Sequence, residues 1–317
     1  MDARLAVHDK LSSWFVERTD LELSDLLARA APRPGWGMTR TIEVAGHPVF
    51  VKTIPVTDLE LANPASTRNH FDLPIVYNYG IGSAGFGAAR EVAAHATTTQ
   101  WVREGANGGF PLLYHHRLLP LAGQTRKRIG EQLERYVAYW DGDPAVRRFI
   151  EAREASTHSI TMFIEHVPHV LQDWLPLNQD AIGWVIDQAT EITTFLRGNG
   201  VAHLDSNPSN ILTDGKQLFF ADFGLFLDRK FDLTDQERVF LESHRYFDIA
   251  EFMSSLDWQA PDQPVDFGDV YKHALEPYRA LIDEMSAVFS RLDAGPKTSG
   301  EYNDSRIASL LAEASSP

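Results

Sequence analysis

The chain has 317 residues, 44% of them hydrophobic, enough to bury a large core and to form about two lobes. Its formal net charge of −15 disfavours nucleic acid and anionic membranes as partners, since both repel such a surface out to a Debye length of about 10 Å. There is no cysteine, so disulfides and thiolate metal sites are excluded, and no run approaches the roughly 18 apolar residues of a membrane span.

Leu5, Val7, Leu11, Trp14 and Phe15 recur at helical intervals and predict a first helix over 5–16; a second, over 24–31, is stopped by Pro32 and Pro34. Gly35-Trp36-Gly37 then precedes two β-rich runs, 39–44 and 49–52, joined by the turn Ala45-Gly46-His47-Pro48 and ending on Lys52. A lysine that closes an apolar strand is costly to turn inward unless an anion meets it. Residues 57–79 have no clear period and read as an insertion. Gly80, Gly82, Gly85 and Gly87 follow in a G-x-G-x-x-G-x-G string, which suits either a flexible connection or a backbone cradle for phosphate at a helix start. The helix itself is expected over 88–102, with Glu91 in its first turn, where a negative charge is favoured.

A strand is predicted over 110–121, a mostly helical insertion over 126–155, and a further strand over 159–164 that ends at Glu165-His166-Val167-Pro168. Helices over 171–175 and 181–197 come next, the second ended by Gly198-Asn199-Gly200. The twelve histidines have neither ligand spacing nor companion carboxylates, so a zinc site is not expected.

The stretch 201–225 organises the rest. Asp205 and Asn210 flank Pro208 in a segment that cannot be helix interior. Ile211 and Leu212 read as a short strand, 213–216 as a tight turn, and 217–221 as the returning strand, which brings Asp222 back beside the loop. Two carboxylates and an amide oxygen converging in this way suit a hard cation such as Mg²⁺, with positions left for phosphate oxygens. The plainer alternative is that these aspartates only cap turns.

His203, Asp205 and Asn210, followed by Asp222-Phe223-Gly224, match the pattern H-x-D-x-x-x-x-N and D-F-G position by position, and in this the chain resembles the protein-kinase superfamily, including its aminoglycoside- and small-molecule-kinase branch. The resemblance implies an α+β, two-lobed fold with a small antiparallel-sheet N-lobe and a mostly helical C-lobe. Its boundaries would be a helical extension at 1–34, an N-lobe at 35–165 with insertions near 57–79 and 122–157, a C-lobe at 166–295, and a polar tail at 296–317. It also implies a cytoplasmic enzyme that uses ATP and Mg²⁺. Asp205 and His203 would serve catalysis together with Lys52 and Glu91, which would hold the phosphates; Glu60 is the rival partner for Lys52. Asn210 and Asp222 would bind the metal, Gly35 and Gly37 would cover the nucleotide, and backbone groups at Glu165 and Val167 would meet the adenine edge. The segment 246–252 resembles the buried helix whose aspartate, here Asp248, braces the catalytic loop.

Two departures bear on the acceptor. Leu204 stands where many regulated protein kinases carry an arginine, and Asn207 where Ser/Thr kinases carry a lysine; an Ala-Pro-Glu tripeptide is also missing after Gly224. A Ser/Thr hydroxyl of a protein or precursor peptide and a small molecule such as a cationic antibiotic therefore both stand as acceptors. A pseudokinase scaffold, or transfer of another part of ATP, is the reading from a different class. No obligate protein partner is legible.

Overall fold

The computed structural model describes residues 2–31, 38–121, 131–259, 265–297 and 302–314. Gly35 and Gly37, expected to cover the nucleotide, lie outside the described residues. The chain divides into two compact units, Met1–Pro74 with Phe86–His166, and Ile75–Gly85 with Val167–Pro317. The architecture is α+β, with an antiparallel sheet in the first unit and mostly helix in the second.

The first unit contains α1 (Asp2–Val16), α2 (Asp20–Ala28), β1 (Met38–Val44), β2 (His47–Val56), α3 (Asp58–Ala62), α4 (Ala88–Arg103), β3 (Leu113–Pro120), α5 (Glu131–Tyr139), α6 (Pro144–Glu154) and β4 (His158–Glu165). Its four strands run antiparallel in the order β1-β2-β4-β3. Alternation along β2 sends Phe50, Lys52, Ile54 and Val56 to one face, where Ile54 and Val56 join Met162, Ile164 and Leu113 in a core closed by Ala88 and Val92 of α4. On the other face Phe163 stacks on Phe15 of α1 at 4.1 Å. Register therefore decides which helix Lys52 meets.

Two local boundaries differ from expectation for capping reasons. The second helix starts at Asp20 rather than 24, because Thr19 and Glu22 form a reciprocal capping box that satisfies the first N–H groups. The insertion at 57–79 opens with a further helix, α3, held by a capping box between Thr57 and Glu60.

The second unit contains β5 (His169–Val170), α7 (Leu171–Trp174), α8 (Ile182–Gly198), β6 (Val201–Ala202), β7 (Ile211–Thr213), β8 (Leu218–Phe220), β9 (Leu227–Asp228), α9 (Asp235–Glu242), α10 (Phe247–Gln259), α11 (Val265–Leu275), α12 (Arg279–Ala294) and α13 (Asp304–Ala314). β5, β7 and β8 form one small sheet, and β6 pairs with β9. From Phe247 to Met253 every residue of α10 is buried, as expected of a helix packed on all sides. Its neighbours include α8, α11, α12 and α13. The single helix that periodicity suggests over 271–292 is interrupted at Pro277, between α11 and α12. The loose polar tail expected from 296 is corrected over 304–314: α13 buries Ile307 and Leu310, three apart on one face, and Asn303 accepts from the Arg306 N–H at its start.

Candidate active site

The ion pair of the first unit follows from the register of β2. Lys52 Nζ lies 2.6 Å from Glu91 Oε1 on α4, and the two side chains are 14% and 5% exposed. Glu60 is not the partner. Its Oε2 closes the capping box with Thr57, and its Oε1 accepts the Ala88 N–H at 2.9 Å, so it caps α4 from another element. Gly87 precedes α4 at φ +113°, and a Cβ there would meet Glu60 Oε1 at 2.4 Å. At the end of β4, Glu165 donates its N–H to Leu112 O at 2.8 Å, while its carboxylate accepts from Leu112 N–H and from Arg4 of α1. Its N–H and carboxylate are thus tied to the fold rather than open to an adenine edge.

In the second unit the loop residues after β6 are held from α10. Asp248 accepts the N–H of His203 on Oδ2 and of Leu204 on Oδ1, both at 2.8 Å. Two consecutive N–H groups reach one carboxylate here, with Leu204 at φ +63°, a conformation that costs a non-glycine residue of order 1–3 kcal/mol. Leu204 is fully buried. Burial pushes the Asp248 carboxyl up to about 6, against the lowering effect of those two N–H groups.

His203, expected among the catalytic residues, is fully buried and cannot touch a substrate. Burial pushes its imidazole down to about 4, so the ring is neutral. Its neighbours fix the tautomer: Nε2–H donates to Ala221 O at 2.9 Å, and Nδ1 accepts from the Asp205 N–H at 3.3 Å. His203 is a positioning residue that joins Asp205 to the residue before Asp222. Phe220 and Phe223 meet its ring edge-on, and Phe223 is buried while Asp222 is exposed at φ +59°.

Asn210 Nδ2 donates to Asp205 O at 3.0 Å, and Asn210 O accepts from the Ala221 N–H at 3.0 Å. With its amide nitrogen directed at Asp205, Asn210 keeps Oδ1 as its hard oxygen donor, and the Asp222 carboxylate is the second; this donor set fits Mg²⁺. Asn207 Nδ2 donates to Asp205 Oδ1 at 2.8 Å, so Asn207 holds the Asp205 carboxylate directly. Among the described residues no cluster of three His, Cys, Asp or Glu side chains is arranged as a metal site.

The glycine string of 80–87 is divided between the units after Gly85. Ile75–Gly85 belongs to the second unit. A Cβ on Gly80 would lie 2.4 Å from Asp205 Oδ1 and 3.3 Å from Glu251 Oε1, and one on Gly85 would lie 2.9 Å from Gly224 O. Tyr79 anchors the segment by donating its hydroxyl to His244 Nε2 at 2.7 Å, while His244 Nδ1–H donates to Phe240 O. Tyr77 accepts the Ala84 N–H on its hydroxyl at 2.9 Å. Glycine is thus required at 80 for close approach to Asp205. Sequence reasoning missed Gly80, Ser206 and Glu251 as neighbours of Asp205. The available signal for Glu251 was its place three residues after Asp248, a second acid on one face of the otherwise apolar stretch Phe247 to Met253.

No family model matches the sequence, and the search of curated proteins finds no match. Among solved structures the chain is similar to one described as "WaaP in complex with acyl carrier protein", at 16% identity over 88% of this chain and 94% of that one, with a TM-score of 0.41.

Proposed function

We propose that the chain is an ATP- and Mg²⁺-dependent phosphotransferase that moves the γ-phosphoryl group to a hydroxyl. The observation that carries this reading is the catalytic loop itself. Asp205 is held by Asn207 at its carboxylate, by His203 at its N–H and by Asn210 at its carbonyl, and the loop is anchored through two N–H groups to Asp248. A preorganised carboxylate in a loop that also carries the Asn210 amide oxygen and is followed by the exposed Asp222 carboxylate suits phosphoryl transfer, since positioning and charge stabilisation dominate that reaction.

In this reading Asp205 orients the acceptor hydroxyl and takes its proton as the oxygen bonds to the γ-phosphorus and the bond to the β-bridging oxygen breaks, releasing ADP. Asn210 Oδ1 and the Asp222 carboxylate would hold Mg²⁺, which supplies neutralisation of phosphate charge when bound. Lys52, kept in place by Glu91, contributes a cation for phosphate oxygens. His203 takes no proton in the reaction.

The Asp222-Phe223-Gly224 string favours a Ser or Thr hydroxyl of a protein or precursor peptide as the acceptor. The contact of Asn207 with Asp205 Oδ1 favours the small-molecule alternative, because a phosphate-contacting lysine is replaced by a group that serves the carboxylate. Incubating the pure full-length protein with γ-labelled ATP, Mg²⁺ and a host lysate separated by size tests both: label in macromolecules supports the first, label in small molecules the second, and no transfer to either overturns the phosphotransferase reading.

A further inference from the structure

Beside Asp205 lies a second carboxyl group that the mechanism above does not use. Glu251 is buried on α10, and a single point next to Gly80 Cα, where a Cβ would stand, lies 2.4 Å from Asp205 Oδ1 and 3.3 Å from Glu251 Oε1. The two acids therefore face the same small volume, which only a glycine leaves open. The hydrogen bonds around Ser206 bear on the protonation of Glu251. Ser206 Oγ–H donates to Asp248 O at 2.6 Å, an acceptor with no proton of its own. That uses the one hydroxyl proton, yet Ser206 Oγ also lies 2.9 Å from Glu251 Oε2. The hydroxyl hydrogen can be shared between the two acceptors, but a proton on the Glu251 carboxyl gives each of the two oxygen pairs a hydrogen of its own. Ser206 N–H additionally donates to Glu251 Oε2 at 2.7 Å.

We infer that Glu251 is a positioning residue that stays protonated next to Asp205, so that the pair carries one negative charge and that charge sits on the carboxylate facing the acceptor. The inference rests on the phosphotransferase reading for its functional meaning. The charged groups acting on Glu251 are Asp205 from the catalytic loop and Asp248 from its own helix; from the Ile75–Gly85 segment Gly80 lies at this point. Burial first, and then the Asp205 charge, raise the Glu251 carboxyl well above its ordinary range, against the lowering effect of the Ser206 N–H. Like-charge carboxyls that share a site titrate as a pair, the second ionising only with difficulty. A neutral Glu251 removes the repulsion that would otherwise raise or displace Asp205.

The test uses the full-length protein, MgATP as the probe and water as the acceptor, with infrared spectroscopy as a readout independent of turnover. Wild type minus Glu251→Gln should show a protonated-carboxyl band at neutral pH, and the same difference taken in an Asp205→Asn background should lose that band at a lower pH, because the neighbouring charge is gone. Phosphate release should fall at least tenfold in Glu251→Ala and be largely rescued in Glu251→Gln, which imitates the protonated acid. Loss of rate on the alkaline side should be present in wild type and absent in Glu251→Gln. A missing band, a band unmoved by Asp205→Asn, matching alkaline limbs, or a Gln variant as impaired as Ala would each overturn the inference. If wild type releases no phosphate to water, the lysate transfer assay alone decides the phosphotransferase reading, and the band still decides whether Glu251 is protonated.

Discussion

Lys52 Nζ lies 2.6 Å from Glu91 Oε1, and the pair is nearly closed to solvent. Removing one partner strands a buried charge, which costs about 3–5 kcal/mol, whereas replacing both by apolar side chains is close to neutral. Lys52→Met should therefore lower thermal stability, and Lys52→Met with Glu91→Leu should restore most of it. Calorimetric titration with MgATP should show affinity lowered at least tenfold in both proteins. Normal nucleotide affinity in the stable double variant would remove Lys52 from the phosphate site.

Asp222 is exposed, so its carboxylate contributes little to the fold, and Asp222→Asn should shift stability by no more than about 0.5 kcal/mol. Turnover, in contrast, should drop on the order of a hundredfold or more, with a raised Mg²⁺ requirement, because one hard oxygen ligand is weakened. Activity retained above a few per cent, at about wild-type Mg²⁺ dependence, would exclude Asp222 as a ligand.

Gly80 and Gly105 offer a matched comparison. A Cβ at Gly80 would meet Asp205 Oδ1 at 2.4 Å, while Gly105, at φ +70°, has nothing within 4 Å of a Cβ. Gly80→Ala should reduce phosphoryl transfer at least tenfold by displacing Asp205, with an overpacking cost of about 1–3 kcal/mol. Gly105→Ala should cost about 1 kcal/mol from backbone strain and leave turnover intact. Equal activity of the two variants would mean that Gly80 does not shape the site.

His244 carries a pH signature. Burial pushes its imidazole from 6.5 down to about 4, so the folded protein resists a proton that the unfolded chain accepts. Its contribution to stability is complete above pH 6.5 and is lost as pH falls toward about 4, a difference of roughly 3 kcal/mol. Denaturant titrations of wild type and His244→Gln should show the wild-type advantage shrinking over that window. A pH-independent gap would mean that His244 is charged in the folded protein. Since Tyr79 donates to His244 Nε2, the Gly80 segment should also loosen in acid, visible as faster amide exchange at Ile81 and Ala84.

Much of the site was legible in one dimension because its groups are sequential. His203, Asp205, Asn210 and Asp222 lie within one loop and hairpin, and turn chemistry at Pro208 and Gly215 fixes the path between them. Lys52 and Glu91 are named through the resemblance, from a lysine read at a strand end and a glutamate in a helix's first turn; β2 in fact runs on to Val56. Helix and strand periods named the elements for the same reason: they report a local face, apolar or polar, that each element must bury or expose.

Tertiary structure decided what local pattern cannot carry. The choice of Glu91 over Glu60 depends on the register of β2 and on Glu60 being consumed as a cap for α4, an arrangement between elements far apart in sequence. The role of His203 depends on complete burial and on the two groups that meet its ring nitrogens. The glycine string near Gly80 is ambiguous between linker and phosphate loop until the chain places Gly80 against Asp205, because glycine's permissiveness does not reveal what approaches it. Glu251 stayed hidden on the same ground: a buried acid is identified by its neighbours, and here they come from the catalytic loop, from Ser206 and from Gly80.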